Sequence, residues 1–200
     1  MERLGIFGGT FDPPHNAHLR LATEACRQLD LKHVLWVLTP DPPHKERPDL
    51  SPYPLRRQML IAAISGQAHF LLSEVEAERP GPHYMVDTVR ILMSRHPGSV
   101  FFLLLGEDSL RDLPLWHQPR DLLSQCPLVV MRRPDAAADL AALEIVLPGI
   151  TDRTRFLNAP QMDISSTGLR DLVRRGKSID EYVPAQVEEI IAREKLYSRK

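Results

Sequence analysis

Apolar residues along the 200-residue chain fall into short unbroken runs, separated by stretches in which they recur every three or four positions. Leu4, Ile6 and Phe7 make the first run, residues 34–38, 70–72, 100–105 and 128–131 make the others, and Arg155 to Leu157 offers a last strand. Runs without polar alternation suit strands that are covered on both faces, as in a parallel sheet. The run at 100–105 is the most hydrophobic, which predicts a central strand. From residue 16 to about 28, Leu21, Ala22, Ala25, Cys26 and Leu29 recur at helical spacing, and residues 55–65 and 85–94 do the same. Two further helices are expected at about 166–175 and 184–195, the second with Pro184 in its first turn. Residues 40–54 are proline-rich and read as a loop excluded from the sheet, whereas 136–143 give no clear signal. This alternation predicts an α/β fold with a doubly wound, mostly parallel sheet. A single domain over residues 1–200 is expected, with a small helical portion at about 160–200.

Composition narrows the function classes. With 43% hydrophobic residues the chain can fill one core. Basic and acidic residues number 25 and 26, and no extended basic run occurs, so neither nucleic acid nor an anionic membrane is the expected partner. No apolar stretch approaches the ~20 residues of a membrane helix, and the first strand begins at once without a leader, so a cytoplasmic protein is expected. Cys26 and Cys126 read as small buried hydrophobes rather than a disulfide framework.

In doubly wound sheets ligands gather beyond the carboxyl ends of the strands. There, residues 8–18 read Gly-Gly-Thr-Phe-Asp-Pro-Pro-His-Asn-Ala-His. Gly8 and Gly9 allow a tight turn, and Thr10 and Phe11 lead to a helix start at which His15 and His18 both face the turn. Unpaired N–H groups and the positive end of the helix dipole favour an anion there, and two imidazoles add hydrogen bonds or charge. The spacing is neither a dinucleotide fingerprint nor a P-loop. Residues 164–170, Ile-Ser-Ser-Thr-Gly-Leu-Arg, open a later helix with hydroxyls at Ser165, Ser166 and Thr167 and then Arg170. No capping-box glutamate follows Ser165, which leaves this start open to an outside anion, although an ordinary serine cap would read alike. Asp108, just past the central strand, is suited to accept from ribose hydroxyls, although an aspartate at a helix start is also an ordinary cap. Taken singly, His44-Lys45 reads more readily as a solvated turn and Trp116 as core. No Cys/His cluster has zinc spacing.

Together these segments resemble the bacterial nicotinate mononucleotide adenylyltransferases of the nucleotidyltransferase superfamily. The resemblance covers practically the whole chain, with Ala17 where the His-x-Gly-His motif has glycine. It rests also on Pro42-Pro43-His44-Lys45, residues 55–60 (Leu-Arg-Arg-Gln-Met-Leu), the 84–88 and 106–110 segments, Trp116 and Arg132-Arg133-Pro134. It implies a Rossmann-like nucleotidyltransferase fold and transfer of AMP from ATP to nicotinate mononucleotide, with Mg²⁺ arriving on ATP. It implies that Gly8, Gly9, Thr10, Phe11, His15, His18, Gly106, Asp108, Arg133, Ser165, Ser166, Thr167 and Arg170 hold ATP. His15, His18 and Arg170 are the catalytic candidates among them. Thr39, His44, Lys45, Tyr84, Met85, Thr88, Asp108 and Trp116 are expected around the mononucleotide. Two departures stand out: His83-Tyr84-Met85 replaces Ser-Tyr-Thr, and Glu107 replaces a small or neutral residue and is expected to point away from the substrates. The rival readings are a related transferase acting on nicotinamide mononucleotide or phosphopantetheine, a cytidylyltransferase, a class I aminoacyl-tRNA synthetase fragment, and a non-catalytic nucleotide sensor. The synthetase reading lacks its Lys-Met-Ser-Lys-Ser-like loop. A homo-oligomer is left open.

Overall fold

The structure, a computed structural model, describes residues 1–42, 49–132, 138–160 and 162–198. Six strands form one sheet in the order β3-β2-β1-β4-β5-β6: β1 Arg3–Gly9, β2 His33–Leu38, β3 Phe70–Ser73, β4 Val100–Gly106, β5 Leu128–Met131 and β6 Thr154–Phe156. Every pairing is parallel. Helices α1 Asn16–Leu29, α2 Tyr53–Ile64 and α3 Met85–Arg95 carry the early crossovers. The strand period sorts the core. Leu4, Ile6, Leu35, Val37, Leu103 and Leu105 point to the face covered by α3, whereas Phe7, Trp36, Leu38, Phe102 and Leu104 point to the face covered by α1 and α2.

After β4 the chain forms α4 Glu107–Asp112, a 3₁₀ turn at Leu113–Leu115 and α5 Pro119–Gln125, elements absent from the sequence expectation. Their buried positions, Leu110, Leu113, Leu122 and Leu123, are divided among pieces of only three to seven residues, with Pro114 and Pro119 between them, too short for a periodic signal. The stretch 136–143, which gives no clear signal, runs into α6 Leu140–Val146, and α7 Ile150–Arg153 follows, a helix absent from the sequence expectation. The two closing helices, α8 Ser166–Arg174 and α9 Ala185–Arg193, pack Leu169, Val187, Ile190 and Ile191 on Met59 and Ala63 of α2. No helix among the described residues is long and apolar enough to cross a membrane. Cys126 is buried and Cys26 half-buried, and burial pushes their thiols up to about 12 and about 11, so both stay protonated and unreactive near neutrality.

The ligand crevice follows from register. The β1–β4 ladder runs from Arg3↔Val100 to Ile6↔Leu103 and ends there. Each strand continues outward with its other neighbour, β1 to the pair Gly9↔Leu38 and β4 to Gly106↔Met131. The sheet therefore parts between Phe7–Gly9 and Leu104–Gly106, at the point where the strand order reverses.

Loops above this parting are fixed by a buried arginine. Arg56 Nη1 donates to the carbonyls of Thr10 (3.1 Å) and Thr39 (2.7 Å), Nη2 to Pro40 (2.7 Å), and Nε to Ser51 (2.9 Å). Burial lowers the affinity of this guanidinium for its proton, opposed by the Asp12 carboxylate, yet arginine stays charged throughout any working pH. Arg56→Ala strands four carbonyls and is expected to cost about 3 kcal/mol or more in urea unfolding. Arg56→Lys should recover only part, because an ammonium cannot span the same acceptors. A midpoint unchanged in Arg56→Ala would remove the guanidinium from this role.

Candidate active site

Two cavities meet at the parting of β1 and β4. The first, about 460 Å³, is floored by Phe7–Phe11, walled on one side by His15, Ala17 and His18 of the α1 start and on the other by Ser165–Thr167 of the α8 start. Asp108, Arg111 and Asp112 of α4 stand on its rim, with Asp108 paired to Arg111 at 3.1 Å. Neither α1 nor α8 has an acidic residue in its first turn, so both positive helix ends are left to an outside anion. Ser165 caps α8 by accepting from the Gly168 N–H, and Ser166 donates to the Pro13 carbonyl, which joins the two helix starts across the cavity.

The histidines are stacked, with ring centroids 3.6 Å apart and planes inclined by 15°. The His15 backbone N–H donates to His18 Nδ1 at 3.2 Å. Because Nδ1 accepts, the neutral His18 ring carries its proton on Nε2. The rings of Phe7 and Phe11 meet His18 edge-on at 5.7 and 5.2 Å, and Phe11 reaches its place with φ +46°, in the left-handed region.

The second cavity, about 480 Å³, shares Gly8, Gly9, Thr10 and Gly106 with the first and extends over β4 to Thr39, Met85 and Trp116. At Gly8 a Cβ would overlap Met85 Cε, so the glycine leaves room for the thioether of the chain's His83-Tyr84-Met85 departure. Glu76, His83 and His117 also line this cavity; of these only His83 had been singled out, as the first residue of the His83-Tyr84-Met85 departure. Glu76 sits in the charged stretch 74–79, which reads as a solvated loop, and adjacency to Trp116 was the only hint for His117.

Several expected contacts fall elsewhere. Tyr84 is not in the wall: its ring stacks on His117 at 4.0 Å and backs that side chain. Thr88 is fully buried and off the cavity, because the inward turn of α3 aims its hydroxyl at Glu76. Asp108 lines the first cavity and not the second. Arg170, one turn into α8, lines neither, since Nη1 donates to the Asp12 carbonyl at 2.9 Å and pins α8 to the 12–15 loop. Asp12 in turn accepts from the Ser51 N–H at 3.1 Å and from the Tyr197 hydroxyl at 2.6 Å, and burial with the Asp12 charge drives the Tyr197 pKa far up. Glu107 is buried, accepts from the Ala138 N–H at 3.0 Å and lines neither cavity, as expected of a carboxylate turned away from anionic substrates. His44, Lys45 and Arg133 lie outside the described residues.

The chain has known relatives. The cytidylyltransferase-like family matches residues 6–172. A protein of Thermomicrobium roseum named "Probable nicotinate-nucleotide adenylyltransferase" is 40% identical over 197 residues, which cover 98% of this chain and 92% of its own. A Bacillus pumilus protein of the same name is 38% identical over 201 residues, 98% of this chain and 99% of its own. Among solved structures, the Plasmodium falciparum nicotinic acid mononucleotide adenylyltransferase complexed with NaAD shares the fold with a TM-score of 0.81 over 98% of both chains, at 20% identity. With its parallel sheet parted at the β1 and β4 ends and its sequence matched along almost the whole length, the chain belongs to the cytidylyltransferase-like family, on the branch of the nicotinate-nucleotide adenylyltransferases.

Proposed function

We propose that the chain transfers AMP from ATP to the 5′-phosphate of nicotinate mononucleotide, forming deamido-NAD and pyrophosphate. The observation that carries this reading is the meeting of an anion-suited cavity and a second, aromatic-walled cavity at Gly8 and Gly9, where two phosphates can be brought end to end. Curated relatives of this name support the acceptor.

A phosphate monoester with a second pKa of about 6 is mostly dianionic at neutral pH, so the attacking oxygen needs no general base. That oxygen forms a bond to the α-phosphorus while the bond from phosphorus to the α,β-bridging oxygen breaks, and pyrophosphate leaves with the electron pair. What remains for the protein is alignment and stabilisation of charge. His18 Nε2–H is assigned to the α-phosphate, and His15, the Ser165–Thr167 helix start and the Gly8–Phe11 turn to the ATP phosphates. Arg170 acts here by fixing the 12–15 loop that carries His15. Thr39, Met85 and Trp116 border the mononucleotide. His44 and Lys45 beside it, and Arg133 beside ATP, are expected from the resemblance alone. Among the described residues no group of three or more His, Cys, Asp or Glu side chains is placed to hold a metal. Magnesium would arrive on the triphosphate, held by its oxygens and water, and would neutralise phosphate charge there; among the described residues Asp108 and Asp112 are the carboxylates that line this cavity.

The direct test is pyrophosphate release from ATP and magnesium with nicotinate mononucleotide, nicotinamide mononucleotide and phosphopantetheine in parallel. Release with nicotinate mononucleotide, at higher kcat/KM than with the amide, is expected; release with phosphopantetheine alone would replace the acceptor. His18→Ala should lower kcat on the order of 10²–10³-fold with smaller changes in either KM. Circular dichroism on the same variant guards against loss by misfolding, and a near-normal kcat in the folded variant would return His18 to the core. Trp116→Ala should raise the mononucleotide KM by an amount equivalent to about 1–3 kcal/mol of aromatic stacking while the ATP KM stays put. An equal rise for both substrates would take the indole off the acceptor ring.

A further inference from the structure

Beneath the second cavity lies a polar chain that the AMP transfer described above does not use. Arg79 Nη2 donates to Thr88 Oγ1 at 3.2 Å, and the Thr88 hydroxyl donates to Glu76 Oε1 at 2.6 Å. Arginine can only donate, so the direction is fixed: Arg79 to Thr88 to Glu76. The other carboxylate oxygen, Glu76 Oε2, is buried and has no hydrogen-bond partner among the described residues. His83 Nδ1 is in the same condition. Both residues line the second cavity while being only 1% and 6% exposed. A buried carboxylate oxygen without a partner is costly, and a hydrogen-bond donor brought to that wall would remove the cost. An anionic group there would add repulsion in a place where water screens poorly.

We infer that Glu76 is an acceptor-binding residue of this site: its unpartnered oxygen takes a hydrogen bond from a neutral O–H or N–H of the mononucleotide, and Thr88 positions it by holding the opposite oxygen. This rests on the reading of the second cavity as the mononucleotide site. The donors available are the ribose hydroxyls, common to both pyridine mononucleotides, and the carboxamide NH₂, present only in the nicotinamide form. The carboxylate of nicotinate belongs away from this wall, toward the Trp116–His117 side. Thr88 thereby acts through Glu76 rather than by touching substrate, consistent with its complete burial.

Glu76→Gln is the informative change. Because Thr88 supplies a hydrogen to the facing oxygen, the glutamine oxygen keeps that position and its NH₂ takes the place of Oε2, turning an acceptor into a donor. With both mononucleotides and ATP as variable substrates, the variant is expected to show an acceptor KM raised about tenfold or more, with kcat and the ATP KM within about twofold. A rise for both mononucleotides assigns the donor to the ribose, and a rise for the nicotinamide form alone assigns it to the carboxamide. Unchanged acceptor KM values, or a loss confined to kcat, would overturn the inference. A second pair covers a Glu76 variant that does not fold: Thr88→Val should raise the acceptor KM in the same pattern and Thr88→Ser should restore it, whereas equal behaviour of the two would overturn it. If the parent protein reacts with neither mononucleotide, the acceptor reading itself fails, an outcome distinct from all of these.

Discussion

Arg56 sits where three pieces of chain must be held together without any sheet or helix to do it. Its guanidinium takes carbonyls from the turn after β1, the turn after β2 and the segment leading into α2. A buried carbonyl without a donor is expensive, and loops that close over a ligand cavity expose several at once. One planar group with donors spread around its edge satisfies four of them in a single fixed arrangement. The floor shared by the two cavities, Gly8 to Thr10, and the Thr39 wall are therefore anchored to α2, which in turn packs on the closing helices. A parallel sheet supplies the scaffold, but Arg56 sets how the loops above it lie.

The crevice itself is a consequence of register. β1 and β4 separate after Ile6↔Leu103 because each remains paired to its outer neighbour, and the twist of the sheet carries those neighbours apart. Glycines end both strands, so backbone rather than side chain lines the parting. The phosphate side of the crevice is then completed by a segment far along the chain. Ser166 bonds to Pro13, Arg170 to Asp12, and Tyr197 to the Asp12 carboxylate. These contacts couple the closing helices to the first loop and make the histidine side of the site dependent on residues more than 150 positions away.

On the acceptor side, Thr88, Glu76 and Arg79 form a relay of hydrogen bonds whose direction is dictated by the arginine. Tyr84 and His117 form a stacked pair in which one ring lines the cavity and the other supports it. Two motif residues here, Tyr84 and Thr88, stand behind the wall rather than in it. A residue singled out by a motif can owe its place to the neighbour it orients.

The local pattern of the chain determined the strands, the longer helices and the alternation that makes a doubly wound sheet, because a strand buried on both faces and an amphipathic helix each leave a mark within a few consecutive residues. The glycine turn with His15 and His18, and the hydroxyl-rich start of α8, were legible for the same reason: a helix start open to anions is a local property. Short elements broken by Pro114 and Pro119 left too few periodic positions to be seen. The roles of Arg56, Arg170, Thr88, Glu76 and His83 were decided only by the tertiary structure. Nothing adjacent to Arg56 in sequence marks it as buried, and nothing near Glu76 distinguishes a cavity wall from a solvated charge. Long polar side chains reach several ångströms from their own backbone, so their partners are chosen by which distant segments the fold brings within that reach.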